Sequence, residues 1–304
     1  MEEFDYHPEK PTSNKKKKKP DLNRTIISIG IFIVAFLAFG FDDLSYVLMI
    51  VSVVFIHELG HFLMMKGFGF GNLQMTFVPF LGAFVNGKKD KEKQVQNWLI
   101  ILAGPVPGVV LGISLFFVGS TYKYEWVEEW AYLFLFLNVL NLIPLDPLDG
   151  GQLLKSFMGD KFEITQIVFS FISSLIMILV GWYFEIWVIV IFGFFMGLRI
   201  RSLQRMLQIH KELKENNVNY ILTYKELPNR SYYKIKEILI QNNPTLQKYL
   251  NQFDESDIES LIVSQVENVL VTPVEKNGTF LMKVFVVLTW ILALLSPLIL
   301  FLQF

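Results

Sequence analysis

Residues 44–65, LSYVLMIVSVVFIHELGHFLMM, decide the fold. A bilayer span takes about 20 apolar residues, and this stretch supplies them while carrying His57, Glu58 and His61 within it. An ionisable group at membrane depth is costly unless it has a partner, so three of them together require a chemical reason. On a helix, His57 and His61 are four residues apart and share a face, which lets both rings reach one metal ion. The intervening Glu58 is placed to polarise a water as general base. His57-Glu58-Leu59-Gly60-His61 therefore reads as an HExxH zinc site set inside a membrane helix.

The rest of the composition agrees. With 53% hydrophobic residues, 29 phenylalanines and a mean hydropathy of +0.43, the 304-residue chain reads as a polytopic membrane protein surrounded by lipid. A net charge of −1, with charges confined to short loops and one polar segment, speaks against a nucleic-acid partner. Cysteine is absent, so disulfides and thiolate ligands are excluded and a metal site must use histidine and carboxylate.

Apolar windows occur near 25–41, 44–65, 97–119, 131–148, 164–183, 186–198 and 280–302, seven in all, the sixth short. The lysine run Lys15–Lys19 before the first window is expected to be part of a disordered cytoplasmic tail on an uncleaved anchor, because Asp42-Asp43 close the segment without a small-residue cleavage site. Placing that tail inside makes every loop obey the positive-inside rule. Asp42-Asp43, Glu125, Glu128, Glu129 and Glu185 fall outside, while Lys88, Lys89, Lys91, Lys93, Lys155, Lys161, Arg199, Arg201 and Arg205 fall inside. His61 then lies toward the cytoplasmic leaflet. The expected fold is an all-α membrane protein of six to seven transmembrane helices, divided into a basic tail at 1–24, a core at 25–202, a polar cytoplasmic helical domain at 203–279 and a last helix at 280–304.

Between the second and third windows, Phe70 to Asn86 is apolar but broken by Gly71, Asn72, Pro79 and Gly82, with strand character at Thr76-Phe77-Val78 and Ala83-Phe84-Val85. A short hairpin or re-entrant loop is expected there. Irregular backbone at that depth must be buried in protein or line a wet cavity, and an exposed strand edge can hold an extended peptide by strand addition. In the polar segment, whose own core is expected to be marginal, His210 lies among Gln208, Lys211 and Glu212 and is expected to be solvated. His7, in the tail, is given no role. The fifth and sixth windows carry no polar site.

Two histidines leave a zinc ion short of a third protein ligand. The fourth window ends in Asn141-Leu142-Ile143-Pro144-Leu145-Asp146-Pro147-Leu148-Asp149-Gly150-Gly151, whose prolines and glycines break a helix at the depth of His61. Asp149 is the candidate third ligand. Asp146 is an alternative ligand, a partner to a histidine ring or a cap beside Pro147, with the last two preferred. Gly104, Pro105, Pro107 and Gly108 in the third window read equally as a kink or as small residues that let helices approach.

These motifs together resemble the site-2 proteases, a family of intramembrane zinc metalloproteases. HELGH and NLIPLDPLDGG match the family's HExxH and NxxPxxxLDG motifs, and Pro79 to Val85 and Ala103-Gly104-Pro105 match its loop and AGP sequence. The likeness covers about residues 43–155. Asp146 stands where many members have proline, Ala83 replaces the loop's second glycine, and Gly108 replaces the polar residue that often follows AGPxx. The resemblance implies zinc on His57, His61 and Asp149, Glu58 as the catalytic base, and substrate contacts from Asn141, Gly82 and Pro144. It implies cleavage of a transmembrane protein substrate, surrounded by membrane lipid, in regulated intramembrane proteolysis. A bacterial plasma membrane is the expected location, with the active site toward the cytoplasm. The competing readings are a catalytically silent membrane scaffold of the same fold and a membrane metalloenzyme acting on a lipid or small molecule. An intact Glu58 speaks against the scaffold.

Overall fold

The computed structural model describes residues 7–12, 22–38, 43–79, 82–158, 162–250, 252 and 255–303. The lysine run at 15–19, Asp42, Phe80, Leu81 and Lys161 lie outside the described residues. The chain forms two compact units, one of Lys18–Lys89, Lys93–Gly197 and Lys276–Phe304 and a smaller one of Met1–Lys17, Asp90–Glu92 and Leu198–Glu275. The larger begins with α1 (Leu22–Ala38) and α2 (Leu44–Gly67), followed by strands β1 (Gly71–Val78) and β2 (Gly82–Lys88). It continues through α3 (Gln94–Ala103), α4 (Pro105–Tyr122), α5 (Glu125–Leu142), α6 (Asp149–Phe157) and α7 (Phe162–Tyr183) into α8 (Trp187–Glu215). The smaller unit holds α9 (Asn229–Gln241), α10 (Pro244–Leu250) and α11 (Glu255–Val269), and α12 (Phe280–Gln303) returns to the larger.

Among the described residues, five helical stretches are long and apolar enough to cross a membrane: Leu44–Gly67, Gln94–Tyr122, Ile164–Tyr183, Trp187–Glu215 and Phe280–Leu298. That is fewer than the seven windows. α1 is apolar but has only 17 residues, and α5 carries Glu125, Glu128 and Glu129 within its 18 residues. The fourth helix also stops earlier than its window. Ile143 is extended, with ψ 137°, as a residue before proline tends to be, and helix resumes only at Asp149. The sixth window does not end at 198. With neither glycine nor proline between Arg199 and Glu215, it runs on as one helix with the segment expected at Leu203 to Glu215.

The hairpin forms as expected. β1 and β2 are antiparallel, with Val78 opposite Gly82, Phe77 opposite Ala83, Thr76 opposite Phe84 and Met75 opposite Val85. Gly82 enters β2 with φ +89°, open to glycine without strain. Leu73, Met75 and Phe77 alternate inward, and Met75 and Phe77 join Phe32, Val47 and Val51 in one apolar cluster. α1 closes the outer edge of β1: Thr25 Oγ1 donates to the Met75 carbonyl at 2.8 Å, and the Phe77 N–H donates to Ser28 Oγ at 3.1 Å. Because Met75 and Phe77 turn their backbone groups to α1, their partners Val85 and Ala83 occupy non-hydrogen-bonded pairs. Ala83 and Val85 therefore point their N–H and C=O groups away from β1.

The segment between α5 and α6 is anchored by a buried polar network. Asp146, fully buried, accepts from Lys155 Nζ and from Ser170 Oγ, both at 2.5 Å, and its N–H donates to Ser173 Oγ at 3.0 Å. α7 was expected to carry no polar site; it supplies two of these partners, Ser170 and Ser173. Asp146 is thus neither a metal ligand nor a histidine partner. α7 also meets α8 through small residues, Ser174 Oγ donating to the Gly193 carbonyl at 2.7 Å.

The smaller unit has a fuller core than its size implied, with Leu213, Tyr232, Ile235, Ile262 and Val266 among its buried residues. His210 is buried rather than solvated. Its Nε2 lies 2.9 Å from the Val269 carbonyl and its ring stacks on Tyr220 at 4.2 Å, because that face of α8 turns into this core. Residues 7–12, expected in a disordered tail, pack against Tyr224 and Tyr233.

Removing one partner of a buried ion pair costs about 3–5 kcal/mol, whereas replacing both with apolar groups is close to neutral. Lys155→Met is therefore expected to lower thermal stability in detergent sharply, and Asp146→Leu/Lys155→Met to recover most of the loss. Equal losses in the two variants would show that the pair does not anchor the segment.

Candidate metal centre

α2 presents His57 and His61 on one face, and α6 opens with Asp149 facing them. Asp149 Oδ2 lies 3.0 Å from His57 Nε2 and 3.2 Å from His61 Nε2, and the two Nε2 atoms are 3.1 Å apart. Among the described residues, these three form the one group of histidine and carboxylate side chains arranged to hold a metal. All three come from the sequence motifs, brought together across the break between α5 and α6.

The hydrogen bonds on the far side of each ring fix what faces inward. His61 Nδ1 is 2.7 Å from the Ile100 carbonyl, which can only accept, so Nδ1 carries the proton. Ile100 lies in the last turn of α3, where carbonyls need partners from outside the helix. His57 Nδ1 is 2.8 Å from Asn138 Oδ1, and the Asn138 amide is oriented by donating Nδ2 to the Phe134 carbonyl at 2.8 Å. His57 therefore also carries its proton on Nδ1. In the neutral imidazole each Nε2 then presents its lone pair inward, toward the other ring and toward the Asp149 carboxylate. Two buried imidazole nitrogens and a half-buried carboxylate oxygen in mutual contact suit a cation. Tetrahedral zinc with ligands at about 2.0–2.1 Å has ligand edges of roughly 3.3 Å, close to the separations seen, so the donor set fits zinc in both chemistry and size.

Glycines make the convergence sterically possible. A Cβ on Gly104 would sit 2.3 Å from His61 Nε2, and one on Gly60 would sit 2.0 Å from the Ala103 carbonyl oxygen. The two readings of the AGP stretch are both realised, since Gly104 separates α3 from α4 and also brings them close to α2. A Cβ on Gly108 would fall 2.2 Å from Asn138 Oδ1. Asn138 thus fills, from α5, the space a side chain at 108 would take.

Glu58 is buried beside the cluster, and among the described residues its carboxylate makes no hydrogen bond to protein. Asn141 is half-buried and donates Nδ2 to the Leu137 carbonyl at 3.0 Å. Pro144 is exposed in the turn after α5, and Gly82 pairs with Val78 at the hairpin turn; the structure does not join either to the three ligands. Two residues escaped the sequence reading. Asn138, 1% exposed in the apolar run LFLFLNVL, was signalled only by being an amide one turn before Asn141. Trp290 of α12 donates Nε1 to the Leu142 carbonyl at 2.8 Å, capping the end of α5, and no local sequence signal marks it.

Partners that orient a metal-bound histidine are typically worth 10–100-fold in metal affinity. Asn138→Leu is expected to weaken zinc binding by about that range, and Gly104→Ala to weaken it by displacing His61. Chelator competition on purified protein measures both, and affinities equal to wild type would remove Asn138 and Gly104 from the centre.

Residues 45–134 match the profile of peptidase family M50. Among curated proteins, a zinc metalloprotease of Methanocaldococcus jannaschii is 32% identical over 122 residues, 38% of this chain and 35% of that protein. Stage IV sporulation protein FB of Bacillus subtilis is 26% identical over 126 residues, 41% of this chain and 44% of that protein. The matches thus span less than half the length of either relative. Among solved structures, the site-2 protease of Methanocaldococcus jannaschii aligns at a TM-score of 0.45 and 22% identity, covering 58% of this chain and 87% of that one. The family match lies on the stretch that carries HELGH and the AGP sequence, so over residues 45–134 this chain is similar to peptidase family M50.

Proposed function

We propose that the protein is an intramembrane zinc-dependent endopeptidase that hydrolyses a peptide bond in or near the transmembrane segment of a membrane-protein substrate. One observation carries the reading: three metal-ligating side chains converge beside the buried Glu58, all on or against an apolar span-length helix. A zinc ion held by His57, His61 and Asp149 would supply Lewis acidity to a substrate carbonyl and acidify a water. Glu58 takes a proton from the attacking water and returns it to the leaving amine. Asn138 and the Ile100 carbonyl keep both imidazoles in the ligating tautomer. Asn141 positions the substrate backbone near the developing oxyanion.

The hairpin supports a peptide as substrate. α1 occupies the outer edge of β1, so strand addition is left to β2, where Ala83 and Val85 turn their backbone groups outward. A helical substrate must unwind to use that edge, so helix-breaking residues near the cleavage site are expected. The loop charges favour a cytoplasmic location for the 203–279 segment and an active site toward the cytoplasmic leaflet, in a bacterial plasma membrane. Regulated intramembrane proteolysis is the physiological setting we infer.

Purified wild type is expected to hold about one zinc per chain, as the single ligand set implies, and to cut single-span model substrates in lipid. Glu58→Gln should keep the metal without cutting, and Asp149→Ala should lose both. Metal bound with no cleavage of any substrate would overturn the protease reading. Val85→Pro deletes one outward N–H and is tolerable at a strand edge. It should lower kcat/KM by roughly tenfold, the worth of one well-placed hydrogen bond, with zinc content unchanged; unaltered kinetics would exclude β2 as the substrate edge.

A further inference from the structure

The smaller unit holds a peptide, and the peptide is its own. Residues 7–12, His7-Pro8-Glu9-Lys10-Pro11-Thr12, lie against the segment from Tyr224 to Tyr233. The Lys10 ammonium donates to the carbonyls of Tyr224 at 2.7 Å, Lys225 at 3.3 Å and Leu227. An ammonium has three donors and no acceptor, so three converging main-chain oxygens use its full capacity. Lys10 Nζ also lies 5.1 Å from the Tyr224 ring centroid, a cation–π distance. The peptide backbone is read as well: the Lys10 N–H donates to Asn229 Oδ1 at 3.1 Å, and the Tyr224 hydroxyl donates to the Pro11 carbonyl at 2.7 Å. The His7 ring stacks on Tyr233 at 5.6 Å.

The receiving surface is built without help from the peptide. Thr223 and Glu226 close the turn, with the Glu226 N–H donating to the Thr223 carbonyl at 3.0 Å and Thr223 Oγ1 donating to Glu226 Oε2 at 3.1 Å. Leu227 roots the turn in the core at 2% exposure, and Pro228 leads into α9. The ligand suits it physically. Pro8 and Pro11 restrict the free segment, so little conformational entropy is lost on docking.

We infer that the Tyr224–Leu227 turn, with Asn229 and Tyr233, is a recognition site for an extended lysine-proline peptide, and that residues 7–12 are its resident ligand. Another segment of the same chemistry enters only by displacing them. The site shares no residue with the metal centre, and its test does not use proteolysis.

A labelled peptide with the sequence of residues 5–14 is titrated against a variant lacking residues 1–12 and against the full-length chain. It is expected to bind the deletion variant and to bind the full-length chain, or to bind with methionine in place of Lys10, roughly tenfold or more weakly, as loss of a hydrogen-bonded charge implies. Equal binding of the lysine and methionine peptides, or equal binding to the two proteins, overturns the inference. Should the deletion variant not fold, full-length Lys10→Met is compared with wild type by hydrogen exchange. Faster exchange across 224–232 with α2 unchanged supports the site, and unchanged exchange there overturns it.

Discussion

Three lone pairs held within 3.2 Å of one another in an apolar interior are the constraint from which the larger unit follows. Such an arrangement stands only if each ring is pinned from behind and a cation can sit in front. His61 is pinned by a carbonyl in the last turn of α3, and that turn exists because Gly104 and Pro105 end the helix. His57 is pinned by Asn138, whose amide is set by its own helix and whose space is left open by Gly108. The residues that make α3 and α4 an imperfect helix are thus the residues that make α2 a ligand platform.

The second requirement is that Asp149 arrive at the same depth, and a continuous α5 would not deliver it. Ending α5 at Leu142 leaves its last carbonyls without helical partners, and the structure meets this locally. Trp290 donates to the Leu142 carbonyl, and Gly150 and Gly151 let α6 fold back against the backbone of Leu142 to Leu145. Asp146, Lys155, Ser170 and Ser173 then hold the intervening turn against α7. α6 is short, but the break that delivers its first residue is held from three sides, which fixes the position of Asp149.

What was legible in the sequence is what short spacing encodes. HELGH places two histidines and a glutamate together through helical periodicity alone, and NLIPLDPLDGG announces a broken helix ending in a carboxylate. The hairpin was legible because glycine and proline bracket two β-branched and aromatic runs. Residues whose partners lie far along the chain were not. Asn138 takes its meaning from His57, 81 residues away, and Trp290 from Leu142, 148 residues away. Asp146 looked available as a ligand because its charge partner Lys155 reads in sequence as an ordinary loop lysine. His210 sits in a polar stretch that hides the inward face of α8, since one buried histidine among exposed glutamine, lysine and glutamate leaves no periodic signal strong enough to read.

Charge explains why the two acidic residues of the break have different fates. Asp146 and Lys155 cancel each other at 2.5 Å and leave no net charge inside the unit. That withdraws Asp146 from competition for a cation and leaves Asp149 as the carboxylate among the ligands. Around the cluster, Glu58 and Asp149 would place two negative charges in an interior that tolerates them poorly, and histidines that ligate a metal do so as neutral imidazoles. A divalent cation cancels those two charges. A monovalent ion would leave one uncompensated, and a second carboxylate ligand from Asp146 would add another. The arrangement therefore selects for a doubly charged ion on grounds of net charge as well as ligand type. It keeps Glu58, the carboxylate outside the ligand set, as the group whose charge can vary when a proton moves.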